Sequence, residues 1–287
     1  MTASATLELA SGSRCAWSTF LPEAMPLLRL FCRCTGIGFR ETPPPAGSTV
    51  LELIPPDPMR HASARGVRGA ACRVGMPSAG GNNFAMIADW SRLPEEKQLF
   101  LCRYLLFLGT APLLLAGKTA MVHGALARCG GYGAIFLGPS GIGKSTTMAR
   151  LPAAWQVMAD DCFMLSECDD GYVAQPMTTW SVWQSGKTMQ VEPDPSQRVT
   201  VAAIHLLERG ETEEFLPLTP QEARLGITAS FSDMIAWHTS YYDPAVRSAL
   251  YRCAYGFSDR MLTKLPVDRM LLSLTGSLEV LLGTPSA

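Results

Sequence analysis

Residues Tyr132-Gly-Ala-Ile-Phe-Leu-Gly-Pro-Ser-Gly-Ile-Gly-Lys-Ser145 decide the fold: an apolar run turns directly into a glycine-rich loop. A short apolar run bounded by turn residues reads as a buried strand. Gly138, Gly143, Lys144 and Ser145 complete the pattern GxxxxGK[ST], and Lys144 to about Leu151 reads as a short helix stopped by Pro152. A strand before this pattern and a helix after it are the context in which it binds phosphate. Backbone N–H groups from Gly141 to Thr146 form a concave nest at a helix N-terminus, and the glycines supply the dihedrals that the nest requires. Lys144 adds a cation for the β- and γ-phosphates, and the Ser145 hydroxyl is a hard oxygen ligand for Mg²⁺. Gly138, Ser140, Gly141, Ile142, Gly143, Lys144, Ser145 and Thr146 are therefore the candidates for holding ATP.

Downstream, Trp155 to Ala159 reads as the next apolar strand and ends at Asp160-Asp161, sixteen residues after Lys144. The pair is expected at the edge of the sheet beside the loop. One carboxylate can hold Mg²⁺, with Ser145 and Asp161 as the expected metal ligands, and the other can accept a proton from an attacking hydroxyl. Upstream, Met121 to Ala127, Cys129-Gly-Gly131 and Tyr132 to Leu137 read as strand, turn and strand, a hairpin. That hairpin puts His123 on the partner of the strand that feeds the loop, and so beside the γ-phosphate. His61, His205 and His238 have no such context and read as structural.

Farther out, strands are expected at Thr49 to Ile54, Phe84 to Ile87, Cys162 to Ser166, Tyr172 to Gln175 and Thr200 to Glu208. Ser91 ahead of Pro94-Glu-Glu96 reads as an N-cap with an acidic first turn, opening a helix through about Leu108. The apolar stretch Leu99 to Gly117 contains Arg103, and Thr110-Ala-Pro112 reads as a fresh helix start, so two buried helices are expected rather than a membrane span. Thr219-Pro-Gln-Glu222 is a capping box with proline at the first helical position and opens a helical C-terminal part. The expected organisation is an α+β region over 1–90, a candidate for substrate recognition, and a phosphate-loop domain over 91–287.

With 287 residues, 47% of them hydrophobic and 17% charged, the chain can bury a large core, which excludes bulk disorder. Lys and Arg number 24 against 25 Asp and Glu, so no global positive field favours nucleic acid or anionic lipid. The opening MTASATLELA shows no basic and then apolar segment, so a cytoplasmic location is expected. Nine cysteines, without CxxC or zinc-type spacing, read as reduced and mostly structural; Cys32-x-Cys34 reads as two ordinary core thiols.

Val122-His-Gly124, Gly138-Pro-Ser-Gly-Ile-Gly-Lys-Ser145 and Ala159-Asp-Asp161 together resemble the core of the HPr kinase/phosphorylase family, in order and nearly in spacing. They are also similar to the shorter relatives of peptide-modification cassettes, lasso-peptide kinases among them. The resemblance implies an α/β fold with a P-loop kinase core akin to phosphoenolpyruvate carboxykinase, a serine kinase activity that uses ATP and Mg²⁺, and oligomers such as related kinases form. It implies phosphate binding by Lys144, metal ligation by Ser145, an active-site role for His123, and a catalytic base and metal contacts from Asp160 and Asp161. The bifunctional enzymes carry a later glutamate in an EIRG-type segment. Here Gln175-Pro-Met-Thr-Thr-Trp-Ser181 instead resembles the cassette relatives, which puts the reverse reaction in question. Trp180 and Ser181, and more weakly Thr178, Thr179 and Arg198, are expected substrate-facing residues.

The function expected is transfer of the ATP γ-phosphate to a hydroxyl, a serine on a peptide or small protein such as a ribosomally made natural-product precursor. The rival readings are a small-molecule kinase and a nucleotide sensor that transfers nothing.

Overall fold

A computed structural model describes residues 2–55, 65–66, 72–75, 83–87, 90–178, 194–239 and 242–282. The N-terminal strands are β1 (Ala3–Glu8), β2 (Arg14–Thr19), β3 (Phe39–Arg40), β4 (Thr49–Ile54), β5 (Arg65–Gly66), β6 (Cys72–Gly75) and β7 (Asn83–Ile87). They form one sheet in the order β3-β1-β2-β4-β7-β6-β5, with parallel pairing at β2/β4 and β4/β7. Helix α1 (Met25–Thr35) lies on this sheet through Leu27, Leu28, Phe31 and Cys32 and ends at Gly36, whose φ of 72° is the left-handed cap that glycine adopts without strain.

Helix α2 (Glu95–Leu115) corrects the sequence reading: it is one helix of 21 residues with Pro112 inside it, not two. Proline leaves the Leu108 carbonyl without its usual helical donor. The Thr110 hydroxyl, one turn from the break, bonds back to the Leu106 and Phe107 carbonyls at 3.0 and 3.1 Å. Packing on several sides, against α1, β2 and β4 among others, then holds the helix through the break. Its N-cap is Pro94, without a side-chain hydrogen bond, so Ser91 does not cap it; Glu95 and Glu96 do occupy the first turn. By length and composition α2 could cross a membrane, and 67% of its apolar window is buried in the fold. Gly109 lets Trp17 lie directly on the helix, since a Cβ there would meet the indole Cε2 at 2.4 Å, and Trp17 Nε1 donates to the Leu105 carbonyl at 2.6 Å.

The second sheet holds β8 (Thr119–His123), β9 (Ala125–Cys129), β10 (Tyr132–Leu137), β11 (Trp155–Ala159), β12 (Cys162–Cys168), β13 (Gly171–Pro176), β14 (Val199–Arg209), β15 (Glu214–Pro217) and β16 (Val267–Leu272). Its main path is β11-β9-β10-β14-β13-β12-β8, with β16 beside β14 and β15 beside β16. The segment read as one strand from Met121 to Ala127 breaks at Gly124. Only its second half, β9, forms the hairpin with β10. His123 therefore lies on β8, which pairs with β12, and not on the hairpin strand.

Two chain segments account for both ends of the sheet. β8 continues through Gly124 into β9, and β11 continues through Asp160-Asp161 into β12. The segments pair antiparallel on both sides of these bends, His123 opposite Cys162 and Leu126 opposite Ala159, with Gly124 N donating to Asp161 O at 3.1 Å between them. A Cβ at Gly124 would stand 2.7 Å from Leu137 Cδ2 and 3.1 Å from Phe136 O, so the bend has room only for glycine.

Strand β10 is buried on both faces, which is why it reads as a continuous apolar run. Ile135 and Leu137 face the large core shared with α2, α4 (Pro220–His238) and α5 (Pro244–Leu262). Ala134 and Phe136 face a second core with Met148, Met270 and Leu278, under α3 (Lys144–Ala149) and α6 (Glu279–Leu282). The expected capping box at α4 forms, Thr219 and Glu222 each bonding the other's backbone N–H.

Candidate functional site

β10 ends at Leu137 and α3 begins at Lys144, and the loop between them turns on Gly141 and Gly143, with φ of 80° and 115°. Among the described residues no side chain caps α3, whose N-cap is Gly143, so its first N–H groups stay available at the loop. Lys144 is buried and folded back, with Nζ donating to the Gly138 carbonyl at 2.8 Å and to the Pro139 carbonyl at 3.3 Å. Thr147 Oγ1 donates to the Gly143 carbonyl at 3.0 Å, and Arg209, from the end of β14, donates to the Gly141 carbonyl at 3.0 Å. Ser140, Ser145 and Thr146 are exposed on the rim.

The bends at Gly124 and at Asp160-Asp161 bring the other residues to this loop. They lie side by side on one two-stranded ribbon, so His123 and the aspartates meet at the same point along it. His123 Nε2 lies 3.8 Å from Asp161 Oδ1. Asp160 lies beside Ser145, whose hydroxyl favours its ionised form, while its Oδ1 is buried with no hydrogen-bond partner among the described residues. Burial pushes the Asp160 carboxyl above its ordinary range, with Asp161 acting in the same direction and Ser145 and Lys144 opposing. Burial lowers the Lys144 ammonium, opposed by Asp161, Asp160 and Asp233. Burial, and then Lys144, lowers the His123 imidazole.

Helix α4 supplies residues that sequence reading missed. Ser230 Oγ donates to the His123 carbonyl, Asp233 Oδ2 lies 3.3 Å from His123 Nδ1, and the Trp237 ring is 4.8 Å from the His123 ring, centroid to centroid. Trp237 remains 43% exposed. The only trace in the sequence is a spacing of i, i+3 and i+7, which any helix face shares. Arg209 is a second omission, visible only once β14 lies beside β10.

Other candidates fall elsewhere. Arg198 pairs with Glu8 at 3.8 Å, in contact with the N-terminal sheet. Thr178 is fully buried. Thr179, Trp180 and Ser181 lie outside the described residues, as do His61 and the His238 side chain. His205 is buried and pairs with Asp268 at 2.7 Å, a structural contact.

The described acidic, histidine and cysteine side chains include no group of three that could hold a metal unaided. The donor set nonetheless fits Mg²⁺, which takes one or two protein oxygens and completes its shell with phosphate and water. The Ser145 hydroxyl and the Asp160 carboxylate, with its unsatisfied Oδ1, are such oxygens.

Fold and site together define an α/β protein with a glycine-rich GxxxxGKS loop, between a strand and a helix, set against a histidine and paired aspartates. The chain belongs to the family described as SynChlorMet cassette protein ScmC, whose model matches residues 114–280, more than half of the chain and all of this site. This agrees with the cassette relatives that its motifs resemble. Among solved structures, the HPr(Ser) kinase/phosphatase from Coxiella burnetii matches at 14% identity, covering 54% of this chain and 85% of that one with a TM-score of 0.26. No curated protein matches the chain.

Proposed function

We propose that the protein is an ATP-dependent kinase that transfers the γ-phosphate to a serine hydroxyl of a peptide or small protein and works in the cytoplasm. The observation that carries this reading is the split of the aspartates: Asp160 lies beside Ser145 at the phosphate loop, and Asp161 faces His123 at 3.8 Å. A site that only binds nucleotide needs the first arrangement and has no use for the second.

In this reading the nest from Gly141 to Thr146 and the Lys144 ammonium hold the β- and γ-phosphates and meet the charge that develops on them. Ser145 and Asp160 would hold Mg²⁺, which neutralises phosphate charge; the metal role expected for Asp161 passes to Asp160. Asp161 takes the proton of the acceptor hydroxyl. The hydroxyl oxygen forms its bond to the γ-phosphorus as the bond from that phosphorus to the β–γ bridging oxygen breaks, and ADP leaves. Trp237, exposed beside His123, offers an apolar wall to the acceptor.

The test is mass spectrometry of the protein with Mg²⁺-ATP and candidate acceptors, HPr and any serine-bearing peptide encoded beside its gene, with Lys144→Ala as control. A gain of ~80 Da on one acceptor, absent with Lys144→Ala, supports the kinase and names its substrate. ATP binding without transfer to any acceptor favours the small-molecule kinase or the sensor.

A further inference from the structure

His123 is gripped from one face of α4. Ser230 holds its carbonyl, Asp233 faces Nδ1 at 3.3 Å, and Trp237 packs on its ring. On the opposite side Nε2 faces Asp161 Oδ1 at 3.8 Å. Lys144 is the remaining charge that acts on the ring, and Arg103 of α2 lies 5.2 Å from the Trp237 ring. A neutral imidazole carries a single N–H, and an ionised carboxylate only accepts. The Asp233 contact therefore selects Nδ1 as the protonated nitrogen and turns the Nε2 lone pair toward Asp161 and the loop.

We propose that Asp233 is a positioning residue that fixes His123 as the Nδ1–H tautomer, so that Nε2 turns no N–H toward Asp161 and leaves that carboxylate free to take the proton of the acceptor hydroxyl. The opposite tautomer would aim an N–H at the Asp161 oxygen and weaken it as a base. The purpose assigned to the tautomer rests on the kinase reading above; the tautomer itself does not.

The experiment is ¹⁵N NMR of the histidine rings at pH 8, above the ordinary imidazole range, with His123 assigned from the spectrum of His123→Gln. The wild-type protein is expected to show the Nδ1–H pattern at His123. Asp233→Ala, at a side chain 44% exposed, removes the acceptor and is expected to switch the ring to Nε2–H. Asp233→Asn keeps the size, offers an N–H donor to Nδ1, and carries the same expectation should the alanine variant fail to fold. With the switch, kcat is expected to fall about 10–100-fold while KM for ATP changes less than about twofold, as for loss of a group that orients a functional histidine. An Nε2–H pattern in the wild type, Nδ1–H surviving in the variant, or a switch that leaves kcat unchanged would each overturn the proposal. Absence of phosphate transfer by the wild type to every acceptor would instead overturn the kinase reading, and the ring spectra separate the two failures.

Discussion

Asp160 combines a cost to the fold with the metal role proposed for it, and Asp160→Asn separates them. Its Oδ1 is buried without a partner among the described residues, and an unsatisfied buried polar atom costs about 1–3 kcal/mol, more when charged. Asparagine leaves one polar atom in the same place but removes the charge, so a gain of about 1 kcal/mol in unliganded stability is expected. That gain corresponds to about 2 °C in Tm for a chain of this size. Ligand binding should move the other way. At 100 times Kd, Mg²⁺-ATP stabilises the wild type by about 2.7 kcal/mol, or about 4–5 °C. Loss of a metal ligand is expected to weaken binding at least about 100-fold, the upper end of what a lost supporting contact costs. The same ligand concentration would then equal Kd and give about 0.4 kcal/mol, or about 1 °C. Paired thermal melts with and without Mg²⁺-ATP read both numbers. The pH dependence has a definite sign. Burial holds the folded carboxyl above its ordinary value of 3.8, so between these values the folded protein keeps a proton that the unfolded chain has released. This contribution to wild-type stability is complete below 3.8 and is lost as pH rises through the folded value; the asparagine variant should lack that slope. An unliganded Tm lower than wild type, together with an unchanged ligand shift, would refute the reasoning.

Asp161→Asn is expected to keep the Mg²⁺-ATP thermal shift and lose turnover by about 10²–10⁴-fold, which single-turnover transfer to the identified acceptor would measure; an equal loss of both would make Asp161 a metal ligand. Gly124→Ala forces a methyl into 2.7 Å of Leu137 Cδ2 at the ribbon bend and is expected to cost about 1–3 kcal/mol in urea unfolding; an unchanged midpoint would mean that the bend relaxes freely. Trp237→Ala is expected to raise KM for the acceptor while leaving KM for ATP in place, and a change confined to ATP would put the indole on the nucleotide side instead.

The phosphate loop was legible because its function constrains local sequence: glycines for left-handed turns, a lysine and a serine at fixed offsets, and a strand and helix at either end. The strand ending at Asp160-Asp161 was legible for the same reason, and so was the capping box at Thr219, since each depends on neighbours a few residues away. Pro112 misled because the sequence shows the lost hydrogen bond but neither the bond from Thr110 nor the packing around the helix. His123 was placed on the wrong strand, yet the fold still brings it beside Asp161. Gly124 alone marks where β8 becomes β9, and only the close approach of Leu137 and the Phe136 carbonyl shows why the chain bends there.

The sequence by itself determined which residues are candidates for the chemistry, because loop, carboxylates and histidine were each picked out by short-range patterns. Only the tertiary structure decided how they are arranged around one another. It sets Asp160 against Ser145 and Asp161 against His123, and it lays one face of α4 on that histidine from 107 to 114 residues away in the chain. The physical reason is range. Helix, turn and strand periodicities register neighbours along the chain, whereas which helix face meets which strand follows from burying two sheet faces at once, and no local pattern encodes that.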